Sequence, residues 1–125
     1  MLKQIYLGLG LSLLLSSQLA MAADKAGKYA SYASSCSNII QGQKDADSGR
    51  SEITRDFLST WLSGYITATN DSLAYTYDIL GSSNLKGAVL WVEKWCAENP
   101  LKRASDAAEA LVLELHPSRS KTAPK

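Results

Sequence analysis

Two cysteines, Cys36 and Cys96, set the tightest limit on how this chain can fold, because an exported protein with an even cysteine count closes them into a disulfide. Export is written at the front of the sequence. Lys3 precedes an apolar run from Ile5 to Leu15, and Ala20-Met21-Ala22 puts small residues where a signal peptidase reads them. This is the layout of a secretory signal peptide, residues 1–22, cut after Ala22. The run is too short for a membrane span, no stop-transfer segment follows it, and no cysteine at the cut offers a lipid anchor. A Cys36–Cys96 bridge closes a loop of about 61 residues, worth roughly 4 kcal/mol on the chain-entropy argument, which rivals the whole net stability of a small domain. The competing readings, a metal pair or a reactive thiol couple, usually carry more ligands at close spacing or a C-x-x-C pair, and neither pattern occurs.

Removing the leader leaves Ala23–Lys125, about 103 residues, enough for one domain with a modest core. The chain has 13 basic and 12 acidic residues, and Lys3 is the only charged residue of the leader, so the exported part is formally balanced. A balanced chain without clustered Lys/Arg argues against nucleic acid or an anionic membrane as partner.

Along the exported part, residues 23–35 show no lasting period and read as a loose N-terminal arm or a short helix leading to Cys36. Gln41–Ser51 gathers Gly42, Asp45, Asp47, Ser48 and Gly49, turn formers that predict an exposed loop. From Ser51 the pattern changes: Ile53, Phe57, Leu58, Trp61, Leu62, Tyr65 and Ile66 recur at the spacing of one helix face. Ser51 offers a cap, Glu52 suits the positive end of the helix dipole, and Asn70-Asp71 ends the helix. Gly64, inside it, predicts close approach by another element. Residues 72–83 read as an ordered connection, with room for a short strand.

Asn84 then caps a helix whose stripe is Leu85, Ala88, Val89, Val92 and Cys96, with Glu93, Lys94 and Glu98 mostly off it. Asn99-Pro100 breaks the pattern and Ser105-Asp106 restarts it. Ala104, Ala107, Ala108, Leu111, Val112 and Leu115 form the last face, which His116-Pro117 stops. Residues 36–116 are thus the helical domain, and residues 117–125, without an apolar anchor, a disordered tail. The fold class is all-α: a small single-domain helical bundle of three to four helices stapled by one disulfide.

Catalytic signatures are missing. No G-x-S-x-G, H-E-x-x-H, phosphate loop or dinucleotide fingerprint occurs, and no ligand set suggests a metal or cofactor. The one histidine, His116, borders the tail; pairing it with Asp71 or Asp78 gives at most a small hydrolase. Asp56, Asp71, Asp78, Glu93 and Glu98 read as a solvated face with helix caps. A non-enzymatic protein is therefore expected. Trp61, Trp91 and Trp95 fall on or beside the apolar stripes and suit core packing. The alternative is an exposed anchor patch in which Trp61, Tyr65, Asn70, Tyr75 and Tyr77 bind a protein partner. Leu90 and Leu113, outside the stripes of their helices, add to a second contact surface.

The run Trp61-Leu62-Ser63-Gly64-Tyr65-Ile66, then Asn70, Leu90-Trp91-Val92-Glu93-Lys94-Trp95-Cys96, Asn99-Pro100-Leu101 and the closing Leu111–Leu115 helix resemble small exported bacterial proteins of the HdeA/HdeB type. The same residues are similar to the Rap/Tai-type immunity proteins. The first resemblance implies a periplasmic helical protein whose core helices are tied through Cys36 and Cys96, acting as an acid-activated chaperone on unfolded clients and able to form a homodimer. The second implies inhibition of a secreted toxin. A structural or assembly component of the envelope is a third expectation.

Overall fold

The computed structural model describes residues 34–125. The expected signal peptide and residues 23–33 of the expected arm lie outside the described residues. The described chain is all-helical: α1 (Cys36–Asp47), α2 (Ile53–Ser72), α3 (Leu85–Glu98) and α4 (Ala104–Leu115), followed by a 3-10 turn at His116–Ser118. Among the described residues there is no strand, only the isolated antiparallel bridges Ser35–Arg103 and Asp78–Ser120. None of these helices is long and apolar enough to cross a membrane. Helix α3 touches each of the other three, and α4 packs on it.

Helix α1 occupies much of the stretch expected as a loop. Its inward face is Cys36, Ile39, Gly42 and Ala46, a helical series. Its members are mostly small, so the turn formers between them dominate the sequence pattern. The Ser35 hydroxyl accepts from the Asn38 N–H at 3.3 Å and begins the helix. Gly49, at φ 70°, ends it, its N–H donating to the Ala46 carbonyl at 2.9 Å.

Helix α2 buries Leu58, Leu62 and Ile66, whereas Ile53 and Phe57 are 64% and 63% exposed, against the expectation that they join the core. Residues four apart form a ridge inclined to the helix axis, and this one winds off the inward face toward its N-terminal end. Ser51 caps only weakly, its hydroxyl accepting from Ile53 N–H at 3.4 Å. The close approach predicted at Gly64 occurs instead at Gly42. A Cβ on Gly64 would meet nothing within 4 Å, while one on Gly42 would overlap the Thr54 side chain of α2.

In α3, Asn84 Oδ1 accepts from Gly87 N–H at 2.9 Å, as the sequence predicts. Cys96 lies in its last turns, bonded to Cys36 across a Cα–Cα distance of 4.8 Å, both fully buried. In α4, the Asp106 carboxylate reaches back to the Arg103 N–H at 3.0 Å, and Ala104, Ala107 and Ala108 leave a smooth face for close packing.

Glu93, expected on a solvated face, is only 1% exposed. Arg55 of α2 makes this burial tolerable: Nε and Nη2 donate to its two carboxylate oxygens at 2.8 and 3.2 Å. Arg55 also bonds Asp47, at the end of α1, at 2.9 Å, and lies 3.6 Å from Glu52. The bonds to Glu93 first, then to Asp47, raise the proton affinity of the guanidinium further, so it is a fixed cation tying three helices.

Two predictions follow from this packing. Arg55→Ala leaves Glu93 buried without its partner and is expected to cost about 3 kcal/mol in urea unfolding. Gly64→Ala is expected to raise stability by about 1 kcal/mol and Gly42→Ala to lower it, seen as shifts of opposite sign in the urea midpoint.

Candidate partner-binding site

Residues 73–84 cross from α2 to α3, and their shape is set by side chains at either end. Ile79, buried, pins the middle of the crossing to the core. Asn70, in the last turn of α2, accepts the Ile79 N–H on Oδ1 at 2.7 Å, and its Nδ2 donates to Asp78 Oδ1 at 3.5 Å. Asp78 Oδ1 also accepts the Leu80 N–H at 3.0 Å. Further turns close through Gly81 N–H to Asp78 carbonyl at 3.2 Å and Ser83 N–H to Leu80 carbonyl at 2.9 Å. The sequence expectation of an ordered connection fits this bonding.

Two tyrosines stand out from this frame. Tyr75 is 84% exposed and takes φ 54°, the only described non-glycine residue with positive φ. A bulky side chain in the left-handed region stores about 1–2 kcal/mol, which the surrounding bonds must offset. Tyr77, two residues on, is 53% exposed.

The five residues expected at a partner-binding patch therefore separate. Trp61 and Tyr65 stack on one another, ring centroids 5.5 Å apart at 26°, and lie half-buried against the core. Asn70 is turned inward, both ends of its amide engaged with the connection, so it positions the loop. Tyr75 and Tyr77 alone present most of their rings to solvent. Trp91 and Trp95 are half-buried on α3 and, with Lys94 and Glu98, line a small hollow of about 120 Å³. Leu90 and Leu113 are exposed, as their positions off the stripes predict.

Sequence reasoning missed two features. One is the exposed Ile53–Phe57 pair, which borders a hollow of about 320 Å³ with Asp56 and Thr60. Beside it lies another of about 300 Å³ that reaches Ser34 and Asp45. Arg50, and then Gln41, hydrogen-bond Asp45 and hold its carboxyl below the usual carboxylate range. The other is the tail. The 3-10 turn and residues 119–120 lie along the crossing, with Ser120 paired to Asp78, where the sequence predicts disorder. Backbone pairing holds them, and backbone pairing leaves no apolar signature to find. His116 is exposed, and its carbonyl accepts from Arg119. No group of three or more metal-ligating side chains occurs among the described residues.

Replacing Tyr75 by glycine removes the conformational strain together with the ring. Tyr75→Gly is expected to hold stability or raise it by up to about 1 kcal/mol, whereas Tyr75→Val should lower it by about 1 kcal/mol, each read as a shift of the thermal midpoint. Compared with known proteins, the chain matches no family model, no curated protein and no solved structure.

Proposed function

We propose that this chain is a non-catalytic protein-binding module of the bacterial envelope, exported to the periplasm and related in kind to the HdeA/HdeB type. It meets its partner through Tyr75 and Tyr77. The carrying observation is that Tyr75 stands 84% exposed at φ 54° on a connection fixed by hydrogen bonds. A strained, water-facing aromatic residue on a pinned loop contributes nothing to the core. Tyrosine anchors dominate protein interfaces, and a loop already in its final shape loses little entropy on docking. This supports one dedicated protein partner, as an immunity protein has in its toxin.

A second form, the acid-activated chaperone, has its own support in the ion pairs of Arg50 and Arg55. Arg55 joins three helices through its charged bonds to Asp47 and Glu93, so one cluster of ion pairs is their common anchor. The acid dependence is carried by Asp45, which, held low by Arg50, stabilises the fold above the carboxylate range and ceases to do so as pH falls. Loosening would expose Leu58, Leu62 and their neighbours to unfolded clients.

One pair of measurements separates the forms. In the periplasmic fraction of the producing cell, a protein bound by the native chain and lost in Tyr75→Ala/Tyr77→Ala is expected; retention of all partners by the double variant refutes the loop. At pH 2, suppression of light scattering by a denaturing client supports the chaperone form, and its absence removes that form.

A further inference from the structure

The tyrosine loop is not shaped by its own residues alone. Ser120 and Asp78 exchange backbone hydrogen bonds, Ser120 N–H to Asp78 carbonyl at 2.9 Å and Asp78 N–H to Ser120 carbonyl at 3.1 Å. The Tyr77 N–H donates to the same Ser120 carbonyl at 2.8 Å. Two loop residues thus face one tail residue, the arrangement of a β-bulge, which redirects a side chain out of register. Arg119 adds two bonds, Nε to Thr76 Oγ1 at 3.0 Å and Nη1 to the His116 carbonyl at 2.6 Å. The Ser118 carbonyl closes on Gly81, at φ 58°, where a Cβ would lie 2.6 Å from that oxygen. The tail therefore grips the loop at Thr76, Tyr77, Asp78 and Gly81 and leaves the rings of Tyr75 and Tyr77 open to solvent. It is also cationic: Arg119 and Lys121 flank the paired Ser120, and Lys121 is exposed.

We propose that residues 117–120 are a strap that holds the tyrosine loop in its presenting shape, and that loop and strap form one surface, aromatic and cationic, fitted to an acidic face of a protein partner. The partner half rests on the protein-binding reading above; the strap half is measured without any partner.

The strap is tested in the full chain by Arg119→Ala with Ser120→Pro. Proline removes the N–H that Asp78 accepts, and Arg119 at φ −61° and ψ 152° already has backbone suited to precede it. Chymotrypsin cleavage after Tyr75 or Tyr77, followed by mass after reduction, is expected to run at least about tenfold faster in the double variant, with the helical circular dichroism unchanged. Equal rates overturn the strap. Should the double variant lose helix, Arg119→Ala alone carries the same expectation at about threefold, and an unchanged rate there overturns it.

For the partner chemistry, a random glutamate–tyrosine copolymer is the probe and a lysine–tyrosine copolymer the control. At low salt, amide shifts confined to residues 74–81 and 116–121 are expected with the acidic polymer only, lost in Lys121→Glu. Equal response to both polymers, no response, or shifts elsewhere overturn the acidic partner while leaving the cleavage result, and the protein-binding reading, to stand or fall separately.

Discussion

Cys36 opens α1 and Cys96 lies near the end of α3, and the covalent bond between them settles which helix ends must meet before any side chain packs. With those points held 4.8 Å apart at the Cα atoms, the intervening chain has to lay α2 and the long crossing over the pair and return. Helix α3 consequently becomes the element that all others contact, and α4 needs only to lie on it. A domain of this size buries a small fraction of what a larger one does, so a constraint on the unfolded chain weighs heavily against the modest apolar core.

The second organising element is polar. Arg55 of α2 gathers Asp47 of α1, Glu93 of α3 and Glu52, just before its own helix, around one guanidinium, and Glu93 is shielded from solvent. An apolar pair of similar volume would hold the helices at least as well, but it would do so in many registers. A forked donor meeting a carboxylate has one good geometry, so the arrangement fixes how α2 lies across α3. Disulfide and ion cluster divide the labour: one limits the distance between two helix ends, the other their orientation.

How much of this was legible in the sequence depended on what kind of bond each element uses. Helices α2, α3 and α4 declare themselves through large apolar residues at helical spacing, and Asn84 and Asn99-Pro100 mark their limits. Helix α1 was hidden because Gly42 and Ala46 make an inward face without a hydrophobic signal. Glu93 looked solvated because only Arg55, thirty-eight residues away, makes its burial tolerable. At the candidate site, the exposure of Tyr75 and Tyr77 follows from their place in a connection without periodicity. The inward turn of Asn70 follows from its side-chain amide bonding the Ile79 N–H and the Asp78 carboxylate, and the pairing of Ser120 with Asp78 from hydrogen bonds between distant backbone groups; no pattern announces either.

Residues 73–84 lie inside the ring that the Cys36–Cys96 bond closes. A single nick in that crossing produces two polypeptides yet one molecule, each half carrying one sulfur of the bridge. This crossing is accordingly a long connection where chain continuity and molecular integrity are separable, so proteolytic damage beside Tyr75 and Tyr77 leaves the damaged surface joined to its scaffold.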